Sequence, residues 1–282
     1  MVTAQDLMRT DYVSVDVKDT IAQMIGKLRK TKQHSALVFD DKKYLGMIAR
    51  RYLLTSRIDP SVMKVGNVLK KRSKSKITFF VPTLTPNSDL REICKKLATA
   101  DTHMLPVLEK DKVIGIVSSH DVAKEIMEGY KKLACSELAS MGAVTVTYKD
   151  EIGKAINIFS RYGIDHLPVV DLQNKIMGMV MLSDLIENGE FWDLEKQKVP
   201  RAASHQKGGN PGYQHGEKTS MIALPVEDCM SRKSPCCTAP ETKIPAAVEL
   251  MSENDVCNVI LAKDNKAVGI LTIKDILIDY IK

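Results

Sequence analysis

The chain has 282 residues, 44% hydrophobic and 27% charged, with a formal net charge of +6. That balance excludes wholesale disorder and collagen-like chains, and the length predicts about two domains. No run approaches 18 apolar residues, and Met1–Asp19 has neither a basic start nor an apolar stretch, so neither a membrane span nor a signal peptide is expected. The charge is uneven, +8 over residues 1–130 and −2 over 131–282, which points the first half toward anions. The six cysteines carry no CxxC spacing. Reduced thiols and a cytoplasmic location are the expectation.

Taken in chain order, one pattern recurs. Val13-Ser-Val reads as a short strand, and Ile21, Met24, Ile25 and Leu28 then fall on one helical face. Ala36–Phe39 is an apolar strand, Asp40–Lys43 a turn, and Gly46-Met-Ile-Ala49 a second strand. The second copy runs from Pro82-Thr-Leu through Leu90, Ile93, Cys94 and Leu97 to Leu105–Leu108 and Gly115-Ile-Val-Ser118. The third runs from Val144-Thr-Val through Ile152, Ala155, Ile156 and Phe159 to Leu167–Val170 and Gly178-Met-Val-Met181. The fourth begins at Pro235–Thr238, continues through Ala247, Leu250 and Met251, and ends on Asn258–Leu261 and Gly269-Ile-Leu-Thr272. A further helix opens after the Gly phrase, as in Asp121–Ile126 and Asp275–Tyr280. The unit is β-α-β-β-α, an α/β (α+β) class, repeated four times. The expected divisions are 1–60, 61–130, 131–187 and 222–282 for the repeats, with a flexible insert at 188–221. The insert holds Pro200, Pro211 and the glycines Gly208, Gly209, Gly212 and Gly216, and such loops are functional or disordered. Trp192 is expected to pack at its start.

The phrase Gly-apolar-x-Thr/Ser-x-x-Asp, the Leu-Pro-Val strand before it and the β-α-β-β-α order together resemble cystathionine-β-synthase (CBS) domains. The resemblance covers nearly the whole chain outside the insert. It implies that repeats 1 and 2, and 3 and 4, pair into two Bateman modules with clefts between the repeats. The layout is similar to that of archaeal stand-alone four-CBS proteins and of the AMP-activated protein kinase γ subunit. It implies a regulatory ligand sensor whose ligand is an adenosine compound: AMP, ADP, ATP or S-adenosylmethionine. An unidentified regulated protein and a homodimer fit the same reading.

The site residues follow in part from local chemistry. Ser118 and Thr272 sit where a strand enters a helix, with Asp121 and Asp275 three residues on. This is a capping-box spacing, and equally a helix N-terminus able to hold an anion beside a carboxylate able to hold a ribose. The glycine is expected to let a ligand approach the backbone. Asp184 keeps the acid, but Met181 replaces its hydroxyl; repeat 1 has Ala49 and Tyr52 and is expected to have lost its ribose site. The resemblance adds first-strand positions Ser14, Thr83, Thr145 and Cys237, and adenine-edging backbone at Leu105, Pro106, Asn258 and Val259. It also places His103 and His166 toward phosphate, both of which could equally be surface histidines. Met104 stands where an Arg would face a triphosphate, which favours a ligand with few phosphates. His34, Arg50 and Arg51 are expected to complete the Asp121 site from repeat 1, and Lys274 the Asp184 site.

The run Lys64–Lys76 holds six basic residues between repeats 1 and 2. It reads as a solvated linker. The alternative is a nucleic-acid-binding or scaffold protein with vestigial clefts, whose binding would weaken steeply with salt. No GxSxG, HExxH or P-loop is present, so an enzyme is not expected. His205, His215 and Cys229 lack diagnostic spacing, so no metal is expected. Cys94, Met24 and Met251 read as core.

Overall fold

The computed structural model describes residues 2–31, 33–49, 61–73, 81–100, 102–162, 164, 166–182, 185, 223–232 and 236–282. Arg50, Arg51, Asp184, Trp192, the insert 188–221 and residues 74–76 of the basic run lie outside them.

Four copies of one sheet pattern are present. In repeat 1, β1 (Ser14–Asp16) runs parallel to β2 (Ser35–Asp40), which turns back into β3 (Lys43–Ala49). Repeat 2 has the hairpin β4 (Met104–Glu109) and β5 (Lys112–Ser118), with Leu84 bridging in parallel to Val107 in place of a first strand. After β6 (Ser140–Met141), repeat 3 sets β7 (Val146–Thr147) against β8 (His166–Val170) and β9 (Ile176–Met181). Repeat 4 repeats this with β10 (Cys237–Thr238), β11 (Asn258–Lys263) and β12 (Lys266–Thr272). Each hairpin turns on polar residues, two of them through consecutive left-handed positions, Lys110-Asp111 and Asp264-Asn265. That conformation belongs to the tight turns matching strand twist. In all four repeats the register slips one step after the residue opposite the motif glycine: Val38, Val107, Val169 and Leu261.

The helices predicted from apolar spacing are Ile21–Thr31, Leu90–Ala100, Ile152–Tyr162 and Ile244–Glu253. Their spacing residues Met24, Ile93, Cys94, Leu97, Ala155 and Met251 are buried, because each helix lays one stripe on its sheet.

The repeats are tied by exchanged lead segments. The short helix Ala4–Leu7 precedes repeat 1 but docks on repeat 2: Ala4 N–H donates to Ser88 carbonyl, and Arg9 and Ile116 exchange two bonds at 2.8 Å. Repeat 2 returns the exchange. Its lead helix Val65–Ser73 sits on repeat 1, with Gly66 N–H donating to Val17 carbonyl at 3.0 Å. Repeats 3 and 4 do the same. Cys135–Leu138 and β6 pack on repeat 4, and Val226–Asp228 with Ser231 pack on repeat 3. The basic run is therefore not an open linker over residues 65–73. It is a helix, anchored because Val65 and Val68 are buried in the repeat 1 core.

Two kinds of apolar contact complete the molecule. Sheet faces meet within modules: Leu37 and Met47 of repeat 1 against Met104 and Ile116 of repeat 2, and Met179 of repeat 3 against Ile260 and Ala267 of repeat 4. Helices meet between modules. Ile93, Leu97, Val122 and Ile126 of repeat 2 share one core with Val248, Met251, Ile276 and Leu277 of repeat 4.

Candidate functional site

The helix after β12 begins at Ile273, and Thr272 caps it from an extended backbone conformation. Asp275 N–H donates to Thr272 Oγ1 at 3.1 Å, while Thr272 N–H and Oγ1–H donate to Asp275 Oδ2 at 2.8 and 2.7 Å. Burial pushes the Asp275 carboxyl above its ordinary value; the Thr272 bonds and the Lys274 charge act the other way. Ser118 caps the helix Ser119–Ile126 similarly, accepting from Asp121 N–H at 3.1 Å and donating Oγ–H to Asp121 Oδ2 at 2.5 Å. Asp121 has one more partner, Arg9 Nε at 3.3 Å from the exchanged lead segment.

Three of the four motif glycines, Gly115, Gly178 and Gly269, meet protein backbone where a ligand was expected. A Cβ on Gly115 would stand 2.8 Å from Arg9 carbonyl oxygen, and one on Gly269 would stand 3.1 Å from Ser140 carbonyl oxygen. At Gly178 it would strike Ser231 carbonyl oxygen. The backbone that comes close is the lead segment of the paired repeat, not a ligand.

A solvent-open pocket enclosing about 60 Å³ of cavity lies where repeats 2, 3 and 4 meet. It brings together four expected residues, His103, Asn258, Thr272 and Lys274, with Ser119 and Cys257 beside them. Tyr162 and Ile164 supply the repeat 3 side. Neither histidine is an ordinary surface one. His166 is buried, and its Nδ1 lies 3.0 Å from Asn258 Oδ1 across the repeat 3–repeat 4 pair. His103 Nδ1 lies 3.2 Å from Cys257 Sγ, and its ring centroid is 5.3 Å from that of His34. His34 thus comes from repeat 1 to the repeat 2 histidine.

Other expected residues stand apart from this pocket. Thr83 carbonyl accepts Lys96 Nζ at 2.8 Å, and Pro106 carbonyl accepts Leu84 N–H at 2.9 Å, so both are bonded into their own repeat. Leu105 and Val259 are core residues with no exposure. Thr145 precedes β7, and Cys237 lies on β10 opposite Ile260 with its thiol pushed up to about 11 by burial. Ser118 and Asp121 face Arg9 and do not line the pocket. Sequence reasoning gives no role to Arg9, Ser119 or Cys257, although Ser119 stands at the motif position that Arg50 holds in repeat 1 and Cys257 at the one that Met104 holds in repeat 2; Arg9 lies outside the motif.

A pairing of four β-α-β-β-α repeats, with capped helix termini beside a central pocket, defines a tandem-repeat module protein. The chain belongs to the CBS domain family, whose model matches residues 4–59, 77–128, 135–189 and 226–281. Protein MJ1225 from Methanocaldococcus jannaschii, proposed to be an archaeal homolog of g-AMPK, has the same fold: TM-score 0.73 at 17% identity, covering 99% of this chain and 100% of that one. Among curated proteins, the uncharacterized MJ1232 of the same organism is 32% identical over 131 residues, 46% of this chain and 41% of that protein. An uncharacterized 33.4 kDa protein in the ribosomal RNA operon of Thermofilum pendens is 22% identical over 88% of this chain and 81% of that one. The chain spans less than half the length of the first curated relatives it matches, 41% of MJ1232 and 27% of inosine-5'-monophosphate dehydrogenase from Aquifex aeolicus. Among the described residues, no helix is long and apolar enough to cross a membrane.

Proposed function

We propose that the protein is a ligand-sensing regulator that binds an adenosine compound in the clefts between its paired repeats. The observation that supports this is the helix terminus at Thr272–Lys274, which lines a solvent-open pocket where repeats 2, 3 and 4 meet. Each part has a chemical role. The first N–H groups of the helix starting at Ile273 and the exposed Lys274 ammonium would meet a phosphate or sulfonium-side carboxylate. Both Thr272 bonds fall on Asp275 Oδ2, and a carboxylate offers about four acceptor positions, so Oδ1 is the atom for ribose hydroxyls. Asn258 would read the base edge from β11. A ligand that spans repeats 2, 3 and 4 changes the packing of the modules only by binding one arrangement better than another. The regulated partner would read that packing.

Isothermal titration of the full chain with AMP, ADP, ATP and S-adenosylmethionine tests the reading. Saturable heat with at least one of them is expected. No heat from any of the four at millimolar concentration would sink it.

A further inference from the structure

The far wall of the central pocket carries chemistry that nucleotide binding does not use. Cys257 Sγ lies 3.2 Å from His103 Nδ1 and 3.4 Å from His120 Nε2, so one sulfur stands between two imidazoles. The three residues come from two repeats, with His103 before β4, His120 on the helix after β5, and Cys257 before β11. The other thiols are placed differently. Cys94 and Cys135 are fully buried, and burial pushes them up to about 12 and about 11; Cys236 and Cys237 are held at about 11 by burial. Burial also acts to raise Cys257, but the charge and hydrogen bond of His103, with those of His120, outweigh it and bring the thiol down to about 6. A thiolate is the nucleophilic form of cysteine.

A second observation comes from a neighbouring side chain. Ser119 is 3% exposed, its Oγ has no hydrogen-bond partner among the described residues, and it lines the pocket together with Cys257 and His103. A buried hydroxyl left unmatched at a pocket wall marks a place for an oxygen atom that the protein does not supply. Lys274 and Tyr162 complete the titratable groups on the pocket wall, and His34 lies behind His103.

We propose that Cys257 is a modification site for small hydroperoxides, which enter the central pocket and react at Sγ between His103, His120 and the Ser119 hydroxyl. The sulfur attacks the nearer peroxide oxygen; an S–O bond forms and the O–O bond breaks. Sulfur gives up two electrons and the peroxide accepts them. The leaving hydroxide or alkoxide takes a proton from solvent and departs as water or alcohol, and Cys257 becomes a sulfenic acid. Ser119 donates to the departing oxygen. Access comes through the open mouth of the pocket.

The test treats the full chain with equimolar hydrogen peroxide and dimedone, which traps sulfenic acid, and maps adducts by mass spectrometry. Cys257 is expected to label at least about tenfold faster than each of the other five cysteines at pH 7. Its rate against pH should rise with a midpoint near 6. His103→Gln and His120→Gln should each move that midpoint upward, and Ser119→Ala should slow the reaction without moving it. Uniform labelling of the six cysteines, or a wild-type Cys257 midpoint at 8 or above, overturns the proposal. The wild-type pH profile needs no variant, so a histidine substitution that fails to fold leaves the test standing. Titration with adenosine compounds plays no part in it, so either reading can fall alone.

Discussion

Ser118–Asp121 and Thr272–Asp275 are the same motif in two settings. Both caps hold the hydroxyl against the carboxylate, at 2.5 Å and 2.7 Å. The surroundings differ. The N-terminal lead segment delivers Arg9 to Asp121, whereas the lead segment that meets β12 delivers Ser140 and Met141. Asp121 therefore keeps a cation beside it. Asp275 is left with Lys274 next to it in sequence, and burial dominates, raising its carboxyl. Its charge works against the folded state at neutral pH. That cost is relieved as pH falls through the raised folded value toward the ordinary 3.8. One sequence pattern thus yields a carboxylate paired with Arg9 in repeat 2 and a more buried carboxylate next to Lys274 in repeat 4.

The largest effect that follows is on ligand affinity. Asp275→Ala is expected to weaken binding of the adenosine ligand by roughly 10- to 100-fold, the loss of a charged hydrogen-bonding partner. Asp121→Ala should change it by less than about threefold, because Arg9 already occupies that carboxylate. Titration of the two variants side by side measures the ratio. Equal losses would mean that the Arg9 pair opens on binding and that the two sites are equivalent.

A smaller effect concerns the caps themselves. Ser118→Ala and Thr272→Ala should each destabilise the chain by about 1 kcal/mol, since each strips an acceptor from a helix N–H. Urea midpoints read this. Similar costs at the two positions would place the difference between the sites in their neighbours rather than in their caps.

The local parts of this comparison were legible in sequence. The helices at Ile21–Thr31 and Leu90–Ala100 announce themselves through apolar spacing, and the caps through Ser-x-x-Asp and Thr-x-x-Asp. Repeat order and strand pairing follow from the same short-range pattern. The exchange of lead segments does not. Ala4–Leu7 and Cys135–Leu138 are four-residue helices, too short to show a period, and their partners begin at Pro86 and Pro240. The role of the glycines was misread for that reason: nothing near Gly115 in sequence announces that Arg9 passes over it. Cys257 was equally hidden. It lies 154 residues from His103 and 137 from His120, a separation at which only the fold brings nucleophile and base together.

Arg9 carries the smallest effect and the sharpest reading of the comparison. Its side chain is 46% exposed and that of Asp121 25%, so the 3.3 Å pair lies close to solvent. Exposed pairs are worth about 0.2–1 kcal/mol and are screened by salt. Arg9→Ala should therefore cost less than about 1 kcal/mol of stability, and that cost should shrink toward zero in about 1 M salt. A double-mutant cycle with Asp121→Asn isolates the pair from the backbone bonds that Arg9 makes to Ile116, which survive the substitution. Coupling that vanishes in salt would assign Arg9 a local electrostatic role. Coupling that persists would mean that the pair holds the lead segment in place, because a screened surface contact cannot do so alone.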